Sequence, residues 1–462
     1  MHITKKKKSL KWIFFFLLIF LFLPFKTKSQ INSKTVEEKM YNSYLKKNWN
    51  DVIQIGKLAI KNNIDYFYLR ERTGIAYYEK KNYRKAIIHF KKALKFDSDN
   101  NTILEYLYYS YMLSGREDDA KVLSTKFSEE LCKKINVKQN KIIKNIYFEG
   151  GNSFSNNNSK NGDIDIDGNE DIRGEMDRNN DILYAHLGIK SNINSYISVY
   201  QGYSNINISK TKQIRINDKN VRTDDYKLKQ NEYYINSNIH LTNGLKITPA
   251  FHLINVKFAS IKTVYLPPPP PPSFQLKSFS GTIYRFPRKD TSFYNYLFSL
   301  SITKDISLFS ISIFETYSNL NGKKQLQTGA SIVYYPLGNL DLYTNTTLIS
   351  IYEYKNRFIF DQMLGFKIFP KIWLESFVTL GNLANCNEKN GFVVYNIGDK
   401  ITSKKGISLI WSLSKNIELS LQYQNMKKRT SYKTYTSLNG YITTNNIKYI
   451  NQTIIGGIKW KF

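Results

Sequence analysis

From about residue 141 to the C-terminus, apolar and polar residues alternate with a period of two, and this constrains the fold more than any other feature. Tyr294, Tyr296, Phe298, Leu300 and Ile302 alternate with Asn295, Ser299 and Ser301. Tyr233, Ile235, Ile239 and Leu241 alternate with Tyr234, Asn236, Asn238 and His240. Leu419, Leu421 and Tyr423 alternate with Glu418, Ser420, Gln422 and Gln424. Strands buried on both faces would be apolar throughout. Strands with one apolar face and one face of Asn, Ser, Gln, Thr, Glu or His suit a wall with lipid outside and a polar lumen inside.

The connections between these strands alternate in length. Short turns fall at Asn192–Ser195, Thr242–Leu245, Lys304–Ile306, Pro336–Asn339, Phe369–Ile372 and Ser414–Asn416. Between them lie mostly longer, polar or irregular segments, near 150–181, 210–228, 261–292, 383–403 and 429–446. The connections near Asn319–Lys323 and Tyr354–Arg357 are short exceptions. The pattern predicts an antiparallel transmembrane β-barrel over 141–462, with about 14 strands and a range of 12–16. An even strand number puts both barrel termini on the same side, with the short turns.

The last strand ends on an aromatic residue. Phe462, Trp460, Ile458, Ile454 and Ile450 share one face; Lys461, Lys459, Thr453 and Asn451 share the other. This segment resembles the C-terminal strand by which bacterial outer-membrane barrels are recognised and inserted. The resemblance implies that Ile458, Trp460 and Phe462 form a barrel-assembly signal read by the insertion machinery.

Composition agrees with a barrel. The 462 residues include 35 Tyr and 28 Phe, yet mean hydropathy is negative. No stretch after the first 25 residues approaches the roughly 20 apolar residues of a spanning helix. The net charge of +30 comes from scattered lysines rather than basic blocks interleaved with aromatics, so no nucleic-acid partner is expected. At the N-terminus, Lys5–Lys8 and Lys11 precede the apolar run Trp12–Leu23, and Thr27-Lys28-Ser29 precedes Gln30. This reads as a signal peptide over 1–29, which carries the mature chain across the inner membrane. The two cysteines, Cys132 and Cys386, fall in the helical region and in a late barrel loop, on opposite sides of the expected membrane, and cannot pair.

Residues 33–134 repeat with a period of 34. Lys46-Lys47-Asn48-Trp49 returns as Lys80-Lys81-Asn82-Tyr83; Val52, Ala86 and Ala120 are equivalent, as are Ala59, Ala93 and Phe127. The middle copy, 67–100, resembles a tetratricopeptide repeat. Gly74, Tyr77, Ala86, Phe90 and Ala93 stand at the small and aromatic positions, and Ser98 replaces the usual proline. About three helical pairs are expected, with degenerate outer copies that cap the stack. The resemblance implies a concave face that docks a periplasmic protein. Arg70, Thr73, Tyr77 and Arg84 are the candidate partner-binding residues, beside a basic surface suited to an acidic partner.

Asp163-Ile-Asp165-Ile-Asp167-Gly168 has the spacing of the first half of a calcium loop, and it makes Asp163, Asp165 and Asp167 the candidate metal ligands. The twelfth position is Gly174, with Glu175 one place late. The alternative is a solvated acidic loop. Pro267 to Pro272 reads as a stiff loop of roughly 19 Å, at about 3.1 Å per residue. His186 and His240 have lumen parity, as do Glu375, Asp341, Asp361 and Lys367. No HExxH, paired CxxC or GxSxG is present, so the chain is not expected to be an enzyme and no catalytic residue is assigned.

The layout resembles outer-membrane proteins of the Bacteroidota type that join periplasmic tetratricopeptide repeats to a barrel. It is similar, with a shorter array, to exporters of cellulose and poly-N-acetylglucosamine. The expected fold class is therefore α+β multidomain. The expected function is a transport, export or secretion-associated channel in the outer membrane, with repeats in the periplasm and the acidic and proline-rich loops outside. A non-conducting anchor or scaffold for a periplasmic assembly is the alternative, and a barrel-embedded enzyme is the third reading. Lipid and the barrel-assembly machinery are the further partners implied.

Overall fold

The computed structural model describes residues 32–137, 142–162, 172–216, 219–241, 244–266, 283–396, 398–436 and 442–462. The segment 1–29, expected as a leader, the candidate calcium ligands Asp163, Asp165 and Asp167, and Pro267–Pro272 lie outside the described residues.

Fourteen antiparallel strands close into one barrel in sequential order. They are β1 (Ile143–Ser155), β2 (Ile172–Asn192), β3 (Ile197–Ile216), β4 (Lys219–His240), β5 (Leu245–Ile261), β6 (Arg288–Ile306) and β7 (Phe309–Ser318). The second half is β8 (Gln325–Tyr334), β9 (Leu342–Tyr352), β10 (Asn356–Phe369), β11 (Ile372–Gly381), β12 (Lys400–Ser412), β13 (Ile417–Thr436) and β14 (Ile442–Lys461). The seam pairs β1 with β14, Ile146 opposite Trp460 and Phe148 opposite Ile458. The backbone N–H of Phe462 donates to Lys144 O at 3.1 Å and completes the ladder. Closure removes the unpaired edges that lipid could not satisfy.

The burial pattern is inverted relative to a water-soluble sandwich. On β6, Leu300 is 49% exposed while its neighbours Ser299 and Ser301 are 5% and 3% exposed. The same holds for outward Leu187 beside inward His186, and for outward Leu253 beside inward His252. An exterior of exposed Leu, Ile, Phe and Tyr around an interior of buried Ser, Asn, Gln, Thr and His fits a hydrocarbon surround. Ile454, Ile458, Trp460 and Phe462 all face outward, and the last two rings stack at 6.2 Å. On the other face of β14, Lys459 and Lys461 both pair with Glu418 of β13.

The segments 210–228 and 429–446, expected as loops, are instead mostly strand. β3 pairs with β4 as far as Ile216 opposite Lys219, and β13 with β14 as far as Tyr435 opposite Ile442. Lys433–Thr436 of β13 additionally pairs with Ile172–Glu175 of β2. Beyond the apolar band a hairpin needs no greasy face. Tyr, Ile and Thr supply strand propensity while Lys and the other charged residues keep both faces polar enough for water.

Before the barrel, helices α1 (Ser33–Leu45), α2 (Trp49–Lys61), α3 (Phe67–Glu79), α4 (Tyr83–Ala93), α5 (Asn101–Leu113), α6 (Glu117–Ser124) and α7 (Glu129–Ile135) pack in succession. Asn32, Asn48, Asn82, Asn100 and Ser128 cap helix N-termini with their side-chain oxygens. The 34-residue period is visible in the backbone: Lys47, Lys81 and Gly115 all turn with positive φ before α2, α4 and α6. Val52, Ala86 and Ala120 are fully buried in one core with Leu69, Phe90 and Ile103. Gly74 lets α3 approach Phe90; a Cβ there would lie 2.6 Å from its ring.

Candidate functional site

The lumen is bounded by three layers, and the first is the helical domain, whose α4 and α6 N-termini meet the short-turn end of the barrel. Arg84, in the first turn of α4, donates to Asp305 Oδ1 on β6 at 3.2 Å and to Ser310 Oγ on β7 at 3.3 Å. Its guanidinium lies 3.6 Å from the ring centre of Tyr335. Its backbone N–H donates to Gly338 O at 3.0 Å. Arg116 precedes α6 and joins Asp119 at 2.9 Å and Asp305 at 3.4 Å. Asp118 meets three groups from three strands: Lys144 and Lys190 at 3.3 Å each and His240 at 3.1 Å. Glu117 adds a second contact to Lys144 at 2.9 Å.

Burial works against ionisation of Asp118. His240, Lys190 and Lys144 outweigh it and hold the carboxyl well below the usual carboxylate range. Burial likewise opposes the charge on Arg116, and Asp119 and Asp305 reverse that effect. The junction is thus a desolvated set of ion pairs rather than a surface contact. Removing one member strands its partners.

The second layer is a cavity of about 870 Å³ inside the barrel above these helices. Glu149, Asp361 and Glu375 line it with Tyr147, Phe377 and Lys404. Tyr147 and Tyr184 both donate to Glu149, Tyr343 donates to Glu375 at 2.6 Å, and Thr379 donates to Asp361 at 2.5 Å. None of the three carboxylates forms a salt bridge among the described residues. Of the four carboxylate and lysine residues assigned lumen parity, Glu375 and Asp361 face this cavity, while Asp341 and Lys367 pair with each other at 3.6 Å near the short turns.

The third layer is the connection between β11 and β12, which folds into the lumen instead of standing outside. Leu383, Cys386 and Tyr395 pack against Ile349, Ile351, Ile359 and Ile401 of the wall. Gln325 and Gln327 donate to Asn385 O at 2.5 Å and Asn387 O at 2.8 Å, and Asn396 donates to Asn295 at 2.9 Å. Lys404 holds Glu388 at 2.5 Å. At the loop tip, Phe392 lies against the rings of His186, Tyr200 and Tyr234. The signal for this loop stood in the sequence: Leu383, Cys386, Phe392, Val393, Val394 and Tyr395 are too apolar for a water-exposed connection.

The four candidate partner-binding residues do not gather on an open groove. Arg70 is 7% exposed and paired with Asp65 at 2.6 Å. Thr73 is fully buried and donates to Leu69 O at 2.7 Å, and Tyr77 stacks on His89 at 5.3 Å. Arg84 is engaged by the barrel of its own chain. Missing from that set were Arg116, Glu117 and Asp118, which make most of the junction with Arg84. Cys386 is buried in the inward loop.

No family model matches this chain, and no curated protein matches it. Among solved structures, a Pseudomonas aeruginosa FadL homologue is similar at 8% identity and a TM-score of 0.43, over 69% of this chain and 90% of that one. The P. putida toluene transporter TodX is similar at 6% identity and a TM-score of 0.34, covering 69% and 90%. Acinetobacter baumannii Omp33 is similar at 8% identity and a TM-score of 0.29, covering 70% and 100%. Likeness at this level assigns neither a family nor a cargo, and the functional reading rests on the lumen itself.

Proposed function

We propose that this chain is an outer-membrane transport barrel held shut by an inward loop from one side and by its own helical domain from the other. The observation that carries the reading is the cavity of about 870 Å³ with its polar, carboxylate-bearing lining. A barrel that served only as an anchor would gain by filling that space with side chains. A 14-stranded wall is wide enough to leave a passage once its plugs move. In this reading the short turns and the helical domain are periplasmic. Ile458, Trp460 and Phe462 act as the assembly signal on the outward face of the closing strand. The helices act as tetratricopeptide-like repeats whose surface away from the barrel is left for a periplasmic protein.

The test is conductance in a planar bilayer. The intact chain should be silent or open rarely. Replacing Lys389–Phe392 with Gly-Gly, or breaking the junction with Asp118→Lys, should raise the open time. Silence of all three proteins, each migrating as a heat-modifiable barrel, would leave the anchor reading. One observation favours that alternative: the ion pairs of Arg84, Arg116 and Asp118 hold the helical domain rigidly on the barrel.

A further inference from the structure

The tip of the inward loop sits in the lumen as a ligand sits in a pocket. Phe392 presents its ring to three others: His186 at 5.0 Å, Tyr234 at 5.2 Å and Tyr200 at 6.0 Å, at interplanar angles of 79°, 70° and 81°. Edge-to-face contact on three sides is the geometry that selects an aromatic ring over an aliphatic chain. The cage is prearranged. His186 is fixed between Ser204 Oγ at 2.9 Å and Tyr200 OH at 2.5 Å, and Asn236 donates to Tyr234 OH at 3.0 Å.

Two donors read the backbone beside the ring. Tyr234 OH donates to Asn390 O at 3.2 Å. His252 Nδ1 faces Gly391 O at 2.7 Å, and a carbonyl only accepts, so this nitrogen carries the proton. Its Nε2 lies 3.5 Å from Glu232. The wall therefore recognises a phenyl ring and two adjacent amide carbonyls.

The backbone at this point is strained. Lys389, Asn390 and Gly391 are three successive residues at positive φ, of 53°, 57° and 82°. The side chain of Lys389 disfavours that region, which Asn tolerates better. The base of the loop is packed and hydrogen-bonded and holds one such residue, Asn385 at 56°, against three in a row at the tip. Phe392 remains partly exposed, and both it and Asn390 line the cavity, so the loop tip alone stands between the cage and the space a solute would cross.

We propose that the His186–Tyr200–Tyr234 cage, with Tyr234 OH and His252 Nδ1, is a solute subsite that the loop occupies in the closed barrel, and that its ligand is a peptide or acylated dipeptide amide with an aromatic side chain preceded by two carbonyls. Such a solute displaces Phe392 and relieves the strained tip. This rests on the transport reading, but its test is binding rather than conduction, so the two can fail separately.

The probe is N-acetylglycylphenylalaninamide, whose acetyl and glycyl carbonyls stand where those of Asn390 and Gly391 do, titrated calorimetrically into the full chain in detergent. Phe392→Ala should bind it at least tenfold more tightly than the wild type, because the competing ring is gone. N-acetylglycylalaninamide, without the ring, and toluene, without the carbonyls, should each bind at least tenfold more weakly to that variant. Adding Tyr234→Leu should abolish the gain. Gly391→Ala is a second route that keeps Phe392: its Cβ would fall 2.3 Å from Leu297 Cδ2, which loosens the tip and should also tighten binding. Equal affinities for wild type and both loop variants, or equal binding of the alanine and phenylalanine amides, would overturn the proposal.

Discussion

Arg84 donates to Asp305 at 3.2 Å across 221 positions of sequence, tying the helical domain to the inside rim of the barrel. The pair is nearly dry, with side-chain exposures of 2% and 17%. Arg84→Glu should therefore cost about 3–5 kcal/mol of junction stability, the usual penalty for stranding a buried charge. The measurement is protease cleavage between the helices and β1. It should accelerate in Arg84→Glu and recover in part when Asp305→Arg is added. Unchanged cleavage in the single variant would mean that the junction does not hold the domain.

The helical domain should lose stability in mild acid through His89. Burial, with help from Arg70, lowers this imidazole to about 4 from the ordinary 6.5. A neutral Nδ1 is also what the Arg70 guanidinium at 3.5 Å requires. The unfolded chain binds more protons between these values, so stability is full above pH 6.5 and falls as the pH drops towards 4. The loss is at most about 3 kcal/mol, at 1.36 kcal/mol per pH unit. Helical circular dichroism during thermal melts should show it, and His89→Phe should flatten that dependence. Asp118 and Glu117, held low, keep the junction charged through the same window and release it only below the ordinary carboxylate range.

Deleting Phe462 should lower the amount of barrel in outer-membrane fractions several-fold and leave precursor in the periplasm. The deletion removes the outward ring that stacks on Trp460 and the N–H that closes the seam on Lys144 O. Heat-modifiable migration in fractionated cells is the assay. Unaltered levels would separate the seam from assembly.

Topology can be read by surface labelling. An epitope placed after Lys160 should bind antibody on intact cells, and one at Asn100 should bind only after permeabilisation. The reverse pattern would turn the barrel over.

Calcium can be tested on the same acidic segment. Titration calorimetry of the whole chain should show a site that disappears in Asp165→Ala with Asp167→Ala. Identical heats from the two proteins would leave a solvated loop.

The barrel was legible because hydrocarbon demands a strict alternation, and Tyr294 to Ile302 could satisfy it in only one way. The short turns were equally plain. The hairpin extensions were not. Lys210 to Lys227 is polar on both faces, which is what a loop also looks like, and only the pairing of β3 with β4 separates the two. The inward loop was missed because its partners, Gln325, Gln327 and Asn295, are remote in sequence and are ordinary lumen residues in isolation. Arg84 was read as part of a groove because periodicity gives the face of a helix but not what lies beyond its end. Asn82 and Arg84 sit where α4 begins, and it is that end that abuts Gly338.

The junction also sets an order of events. Asp118 draws its partners from β1, β2 and β4, and Arg84 draws its own from β6, β7 and the turn after β8. The helices are synthesised before any of these strands, yet they cannot settle until at least eight strands stand in their final positions. The domain made first is thus seated only after a good part of the wall has paired, and its docking depends on strands made long after it.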